Sequence, residues 1–407
     1  MSTTVSAAQP TSLWRSRPFT ILLISALFLN IGNKVYEIVL PLIIYEITHH
    51  SSVAMTTMRT AELLPNLLFA VFIGVFVDRV NKKRWVLWMI GAQVILLLFL
   101  VALYRSNVLW LPFYYLIGFL LMTFNYGYFN AQVSLQKLSV PNQLLTSANA
   151  RFTFVETSVG IMGPVFSSLL LLMSNKSNGF LITALFYLFC MLLFRRFSVS
   201  EPQVSHKDSH FWQELREGWV AFRSNRSLWM ISLFSVFFNC SSIVVNTAAI
   251  FFAINDLSLT SSMVALVFSV SGVGGLLGSL LMPRLRSRLG LGALYGCSAI
   301  LSSIGYLGLY LTTHLFALTG SLFLIGFAFS VYVTSVYTFR HEQTPSHLMG
   351  RISGITGCLF RVGMPFTMYA SGWMMLWWGT SSIFLSSIIW NAVLIVLYVC
   401  TPLWKLK

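Results

Sequence analysis

Residues 74–84 read GVFVDRVNKKR, a basic segment between two apolar runs. Residues 278–288, which read GSLLMPRLRSR, form a similar basic segment 204 positions later. Pro141 and Pro345 are also 204 positions apart. Because this spacing is about half of the 407 residues, the sequence predicts two halves that repeat one architecture.

The composition excludes a water-soluble protein. Hydrophobic residues make up 57% of the chain and charged residues 9%, with a mean hydropathy of +0.77, whereas an ordinary soluble domain has about 25% charged residues. In a soluble chain the net charge of +15 would point to nucleic acid. Here most of the cations lie between apolar runs, so we expect a polytopic membrane protein in a lipid bilayer, with no nucleic-acid partner.

A membrane-crossing helix needs about 20 apolar residues, and the sequence contains twelve such runs. They predict an all-α polytopic membrane protein with twelve transmembrane helices in two pseudo-symmetric six-helix halves. We number these spans 1 to 12, at residues 19–47, 53–77, 85–104, 108–133, 149–173, 179–197, 227–253, 261–282, 291–312, 315–337, 352–376 and 380–402. The expected domains are an N-terminal bundle at 1–197, a linker at 198–226 and a C-terminal bundle at 227–407.

Lys and Arg are distributed unevenly across the membrane. With both chain ends on one side, 21 of the 26 Lys and Arg residues fall on that side and two on the other. We call these the basic side and the opposite side. Because Lys and Arg concentrate in cytoplasmic loops, the distribution predicts a multi-pass protein of the cytoplasmic (inner) membrane, with cytoplasmic N- and C-termini.

The linker is expected to contain a surface helix on the basic side. Trp212, Leu215, Trp219 and Phe222 share one helical face, which is typical of an amphipathic helix that lies along a membrane.

The first basic segment carries a family motif. Gly74-x-x-x-Asp78-Arg79-x-Asn81-Lys82-Lys83 resembles motif A of the major facilitator superfamily, which prefers glycine where this chain has Asn81. We expect Asn81 to tolerate the left-handed backbone that glycine favours. The resemblance implies alternating access between two parallel halves and a gating role on the basic side for Gly74, Asp78, Arg79, Lys82 and Lys83. In the second copy, Met282 stands in place of the acid.

Three other segments carry the resemblance further. Gly160-x-x-Gly163-Pro164 in span 5 is similar to the antiporter motif of the superfamily, which implies that these residues bend span 5 and pack closely against a neighbour. Residues 141–150 (PNQLLTSANA) and 217–225 (EGWVAFRSN) resemble the macrolide-efflux and enterobactin-exporter branch of drug:proton antiporters.

Ionisable side chains inside the spans are the main candidates for function, because burying a charge in a membrane is costly. From the rise of about 1.5 Å per residue, Glu37 and Glu62 lie roughly 27 and 24 Å above the basic ends of their helices. We therefore expect one layer of charges, with cross-helix pairs, that contains Lys34, Glu37, Arg59 and Glu62. The layer is either a static ion-pair network or a site where one acid binds a proton during transport. Glu156 in span 5 is a weaker proton candidate, because Arg151 could pair with it.

In the resembled fold, spans 1, 4, 7 and 10 line a central cavity. Their aromatic and amide side chains suit an amphipathic organic molecule, although the same residues also serve ordinary helix packing. The candidates are Asn30, Asn33, Phe124, Asn125, Tyr126, Tyr128, Asn130, Asn239, Asn246 and Tyr332. Arg361 of span 11 joins them, with Glu156, a substrate anion or main-chain carbonyls as its possible partner.

The expected function is a secondary active transporter, most simply a proton-coupled exporter of a drug-like or siderophore-like amphipathic molecule. The proton gradient supplies the energy, no cofactor is expected, and the resemblance implies a monomer. An uptake carrier or a lipid or glycolipid flippase of the same fold is an alternative, as is a transporter-like receptor or scaffold. We expect neither an enzyme nor a metal site, because no HExxH or GxSxG lies on a span and all seven histidines fall in loops or at span ends.

Overall fold

The computed structural model describes residues 13–141, 144–145, 147–149, 151–152, 154–156, 158–160, 162, 175, 177–199, 211–345 and 348–405. Most of span 5 lies outside these residues. The other spans are the helices Arg17–Ile47, Ser52–Arg79, Lys82–Arg105, Leu111–Ser139, Asn178–Arg195, Arg226–Asn255, Ser261–Arg288, Leu291–Leu311, Leu315–Gln343, the pair Met349–Leu359 and Met364–Trp378, and Ser381–Val399. Eight of the described helices are long and apolar enough to cross a membrane.

Polar residues cap the first turns of several spans. The side chains of Ser16, Ser51, Asn225 and Thr260 each accept a hydrogen bond from a main-chain N–H of the first turn. Such a cap satisfies a donor that has no partner within the helix, and it is worth about 1 kcal/mol. The caps explain why these helices begin where a Ser, Thr or Asn precedes an apolar run.

Asn81 is one of these caps, and the expectation of a left-handed backbone there is wrong. Its φ of −64° and ψ of 111° are extended, and its side chain accepts a hydrogen bond from the Arg84 N–H at 2.9 Å. Asparagine therefore begins span 3 as an N-cap.

Span 11 is two helices, Met349–Leu359 and Met364–Trp378, instead of the single helix expected over 352–376. The interruption follows from Pro365. Proline has no N–H to donate to the Arg361 carbonyl, and its ring would collide with that carbonyl in a continuous helix. We call residues 360–363 the span 11 break.

Two side chains from other spans support the span 11 break. The Asn239 Nδ2 of span 7 donates to the Phe360 carbonyl oxygen at 3.2 Å. The Tyr332 hydroxyl of span 10 donates to the Asn239 Oδ1 at 3.1 Å. Because buried carbonyls need a donor, this chain of hydrogen bonds fixes where the main chain leaves the helix.

The two halves meet at the opposite side. Hydrogen bonds join them there, and each involves spans 1, 2, 7 or 11. They run from Tyr45 Oη to Asn255 Oδ1 (3.3 Å), from Ser52 Oγ to the Gly372 carbonyl (3.0 Å) and from Thr60 Oγ1 to the Pro365 carbonyl (3.4 Å).

Gly372 permits the close approach of spans 2 and 11. A Cβ added at this glycine would overlap the Thr56 side chain and lie 3.0 Å from the Val53 Cα. Main chain can come this near to main chain only where a residue has no side chain. The opposite side is therefore closed in this structure by tight helix packing.

The linker contains the expected surface helix, at Phe211–Ser224. Its Glu217 pairs with Arg351 at 2.7 Å, and a Cβ on Gly218 would lie 2.9 Å from the Arg351 Cβ. Phe222 is fully buried and packs edge-on against Trp229 of span 7, with ring centroids 5.3 Å apart. The helix is thus packed onto the basic ends of spans 7 and 11.

Candidate functional site

The four charges expected in one layer lie together. Lys34 and Glu37 form an ion pair of 2.7 Å on span 1, and Arg59 and Glu62 form one of 2.9 Å on span 2. The Arg59 Nη2 also donates to the main-chain carbonyl of Glu37 at 2.5 Å. The bond that crosses between the helices therefore joins a side chain to the main chain, and not two side chains.

The two ion pairs have different surroundings. The side chains of Lys34 and Glu37 are 38% and 39% exposed, whereas those of Arg59 and Glu62 are 19% and 6% exposed. The first pair is therefore partly accessible, whereas the second is largely enclosed by protein. Since the cost of separating charges rises as water is excluded, the second pair is the harder one to break.

Glu62 has one satisfied oxygen and one unsatisfied oxygen. Its Oε2 accepts from Arg59, while its Oε1 is buried with no hydrogen-bond partner among the described residues. The Tyr36 hydroxyl of span 1 is within hydrogen-bonding reach of the Glu62 carboxylate, although the geometry of a full hydrogen bond between them is not met. The Glu62 Oε1 and the Tyr36 hydroxyl could therefore form one further hydrogen bond in the charged layer.

A polar cluster lies beside the charged layer inside the N-terminal half. The Asn33 Oδ1 accepts from the Tyr187 hydroxyl of span 6 at 2.5 Å, and the Asn33 Nδ2 donates to the Asn125 Oδ1 of span 4 at 3.1 Å. Asn33 is buried. Its hydrogen-bonding groups hold three spans together.

Several of the other cavity candidates form hydrogen bonds within the protein or are buried in its core. Asn30 and Asn130 each donate to a carbonyl of their own helix, and Tyr128 is fully buried among aromatic rings. Asn239 and Tyr332 are buried at the span 11 break. Asn246 and Arg361 are exposed, and Phe124, Asn125 and Tyr126 are half-buried.

Arg361 lies in the span 11 break and faces the other half. It is near enough to the Tyr126 hydroxyl of span 4 for the two to interact electrostatically, as is the half-buried Cys358. Among the residues that the structure describes, no acid lies within ion-pair distance of the Arg361 guanidinium, and no hydrogen bond from its side chain is formed.

Glu156 does not form the expected ion pair with Arg151. The Arg151 guanidinium stacks over the Trp14 ring, 4.6 Å from its centroid, and no ion pair joins it to Glu156 in the described part of the chain. Glu156 lies near enough to Tyr128 of span 4 to influence it electrostatically.

Some of the residues expected to gate the transporter or to bend span 5 lie outside the described part of the structure. They are the side chains of Asp78 and Arg79, and the residues Gly163 and Pro164. Gly74 lies in the helix of span 2, Lys83 donates to the Arg195 carbonyl at 3.1 Å, and a Cβ on Gly160 would meet no atom within 4 Å. Lys82 lies in the first turn of span 3.

Sequence reasoning missed Tyr36 and Tyr187, both of which touch the candidate residues. Tyr36 precedes Glu37, and a helical wheel places it on the Asn33 face, which is the signal that could have found it. Tyr187 lies in an otherwise apolar span, where nothing marks it. Within the described residues, no group of three His, Cys, Asp or Glu side chains is placed to hold a metal ion.

Comparison with known proteins points to one family. The sequence model of the Major Facilitator Superfamily matches residues 22–254 and 233–403. No curated protein is significantly similar in sequence. The expected all-α fold, with twelve spans in two six-helix halves, is confirmed by this match and by the solved structures of the same architecture.

Three such structures illustrate the similarity. The nucleoside transporter NupG is 14% identical, with a TM-score of 0.76 over 96% of this chain and 100% of that one. A bacterial homolog of the human lysosomal transporter Spinster, inward-facing and unoccupied, is 14% identical, with a TM-score of 0.73 over 97% and 98%. A bacterial homologue of the iron transporter ferroportin, inward-facing, is 14% identical, with a TM-score of 0.71 over 95% and 99%.

Proposed function

The chain belongs to the major facilitator superfamily, and from that premise we propose that it is a proton-coupled exporter of an amphipathic small molecule. It is a membrane transporter, with spans 1, 2, 7 and 11 packed together at the opposite side. We place the basic side in the cytoplasm, following the Lys and Arg distribution, so that the structure corresponds to a state closed to the outside.

The observation that carries the proton coupling is the state of Glu62. A buried carboxylate with one unpaired oxygen is costly inside a membrane. A proton on that oxygen would give Glu62 a hydroxyl within reach of Tyr36, and would weaken its hold on Arg59. Arg59 is bonded to the main chain of span 1, so a change of charge at Glu62 would reach a second helix.

Glu37 is the other candidate for the proton. Its pair with Lys34 is partly exposed, so that water can deliver a proton to it, and exposed pairs are worth only about 0–1 kcal/mol. In the proposed cycle, one of these two acids binds a proton when the outer side opens and releases it when the inner side opens. Each ligand changes only the relative populations of the two states, in proportion to its difference in affinity.

The aromatic and amide side chains that remain accessible suit an amphipathic organic molecule. Phe124, Asn125 and Tyr126 of span 4 and Asn246 of span 7 contribute them. The macrolide-efflux and enterobactin-exporter branch is the part of the superfamily whose loop sequences this chain resembles, and a drug or siderophore is therefore the class of substrate that we propose. The transporter would work as a monomer, powered by the proton gradient alone.

The test uses inverted membrane vesicles in which a dye reports an imposed proton gradient. Lipophilic cations, macrolides, siderophores and aromatic carboxylates are added in turn, with vesicles lacking the protein as the control. We expect one class to dissipate the gradient only when the protein is present. If every class leaves the gradient unchanged, proton antiport is wrong, and lipid flipping or uptake should be tested next.

A further inference from the structure

Three cations lie far from the ends of the spans, namely Lys34, Arg59 and Arg361, and among the described residues only Arg361 of these three has no ion-pair or hydrogen-bond partner. Counted from Met349, it lies twelve residues along span 11, or roughly 18 Å into the membrane, close to the middle of a hydrocarbon core about 30 Å thick. The other two intramembrane cations, Lys34 and Arg59, are each paired with a glutamate. A guanidinium cannot lose its charge in a protein, so Arg361 needs water or an anion.

Among the residues that it describes, the structure shows neither of the two protein partners expected for Arg361, which are Glu156 and main-chain carbonyls. Glu156 forms no ion pair with Arg361 in the described part of the chain. Main-chain carbonyls do not serve either, because the Arg361 side chain forms no hydrogen bond to a carbonyl of the described residues, and the adjacent Phe360 carbonyl accepts from Asn239. Water or an anion is therefore left to solvate the exposed Arg361 guanidinium, and a substrate anion is the partner among those expected from the sequence that the structure does not contradict.

Arg361 is also held in place. Pro365 interrupts the helix after it, and the chain of hydrogen bonds from Tyr332 through Asn239 fixes the preceding carbonyl. Arg361 lies near enough to Tyr126 of span 4, in the other half, for the two to interact electrostatically. An unpaired guanidinium that extends from a main chain held in this way, with a tyrosine of the other half nearby, is suited to a planar carboxylate or a phosphate attached to an apolar body.

We propose that Arg361 and Tyr126 form an anion-binding site, and that the transported molecule carries a carboxylate, sulfonate or phosphate group on an aromatic or otherwise apolar body. Asn239 and Tyr332 are positioning residues that hold the break. This proposal deepens the proposed function, because it names the chemical class of the substrate. It also links the halves, since the ligand would bridge span 4 and span 11.

The test measures equilibrium binding to the purified protein in detergent by calorimetry, with three probes of equal size: 2-naphthoate, 2-naphthalenemethanol and 2-naphthylmethylammonium. We expect wild type to bind the carboxylate at least tenfold more tightly than the other two. In Arg361→Gln this preference should fall to less than twofold, and Arg361→Lys should keep part of it. Arg196→Gln, which removes an exposed cation from the basic side, should leave the preference unchanged.

A second measurement locates the probe. Cys358 is half-buried and interacts with Tyr126, whereas Cys190 and Cys240 are buried. In a Cys297→Ser/Cys400→Ser background, 2-naphthoate should slow the alkylation of Cys358 by N-ethylmaleimide severalfold, and it should lose this effect when Arg361→Gln is added.

The proposal is overturned if wild type shows no preference for the carboxylate, or if Arg361→Gln keeps the preference while remaining folded. Neither result touches the proton-coupling proposal, because the binding experiment contains no gradient. In the same way, a failure of the vesicle assay would leave the preference for anions standing.

Discussion

Arg59 of span 2 donates a hydrogen bond of 2.5 Å to the main-chain oxygen of Glu37 in span 1, while the same guanidinium pairs with Glu62 at 2.9 Å. One side chain thus connects the two acids of the charged layer, one through its main chain and the other through its carboxylate. Removal of Arg59 should therefore affect both helices.

We expect Arg59→Met to destabilise the protein by about 3–5 kcal/mol, because it leaves the Glu62 carboxylate buried and unpaired. The double variant Arg59→Met/Glu62→Met should recover most of this loss, since a pair of apolar side chains needs no counter-charge. Lys34→Met is the matched control: its pair is partly exposed and should cost only about 0–1 kcal/mol. Chemical unfolding in detergent measures all three. A loss in the double variant as large as in the single one would contradict this account.

If Glu37 is the acid that carries the proton, Glu37→Gln should abolish proton coupling and preserve the fold. The Arg59 bond goes to the main chain of residue 37, which the substitution leaves in place, while glutamine cannot bind or release a proton. The measurement is dissipation of the dye-reported gradient in vesicles, with unfolding temperature as the control for folding. Full coupled transport in this variant would refute a coupling role for Glu37.

Glu62→Gln separates the two candidate acids. Its amide oxygen can still accept from Arg59, so the helix contact survives. If Glu62 carries the proton, coupling disappears in this variant and persists in Glu37→Gln. Persistence of coupling in both variants would assign the layer a static, structural role.

Gly372→Ala should prevent full closure at the opposite side, because the new methyl group would overlap Thr56 and press on the main chain of span 2. The population should shift toward conformations that are open there. Spin labels at Ser106 and Thr313, which are exposed loop positions in different halves on that side, should report longer distances in a cysteine-substituted background. Gly320→Ala is the matched control, since a Cβ there meets no atom within 4 Å. Unchanged distances in Gly372→Ala would contradict the role of this packing.

Asn239→Leu should cost about 1–3 kcal/mol, because it leaves the Phe360 carbonyl without its donor in a buried position. It should also weaken binding of 2-naphthoate although Arg361 is intact. Asn246→Leu, on the same helix but exposed, should change stability by no more than about 0.5 kcal/mol. A positioning role is wrong if 2-naphthoate binds equally well to wild type and to Asn239→Leu.

The fold and the charged layer could be predicted because each follows from a pattern that can be read along the sequence alone. Apolar length marks a span, and the fixed rise of a helix gives Glu37 and Glu62 similar heights before any contact is known. The structure adds the geometry: the bond between the two helices ends on the Glu37 carbonyl, an atom that every residue possesses and that no sequence pattern can single out.

The span 11 break and its supports were harder to predict. Hydropathy is continuous through residues 352–376, and only Pro365 marks the interruption. Asn239 and Tyr332 are residue types that often line a cavity, but Asn239 donates to the Phe360 carbonyl at the span 11 break, 121 positions away, and Tyr332 donates to Asn239. Which polar side chains face a cavity and which support main chain depends on tertiary contacts that one sequence does not reveal.

The bonds that end on main-chain oxygens have an evolutionary consequence. Ser52, Thr60, Arg59 and Asn239 each cross to another span and meet a carbonyl, at Gly372, Pro365, Glu37 and Phe360. Only the donor of such a pair is constrained by the bond itself, so the two positions need not change together as the sequence diverges. Methods that infer contacts from correlated substitutions would therefore receive little signal from these bonds, including the two from Ser52 and Thr60 that close the opposite side.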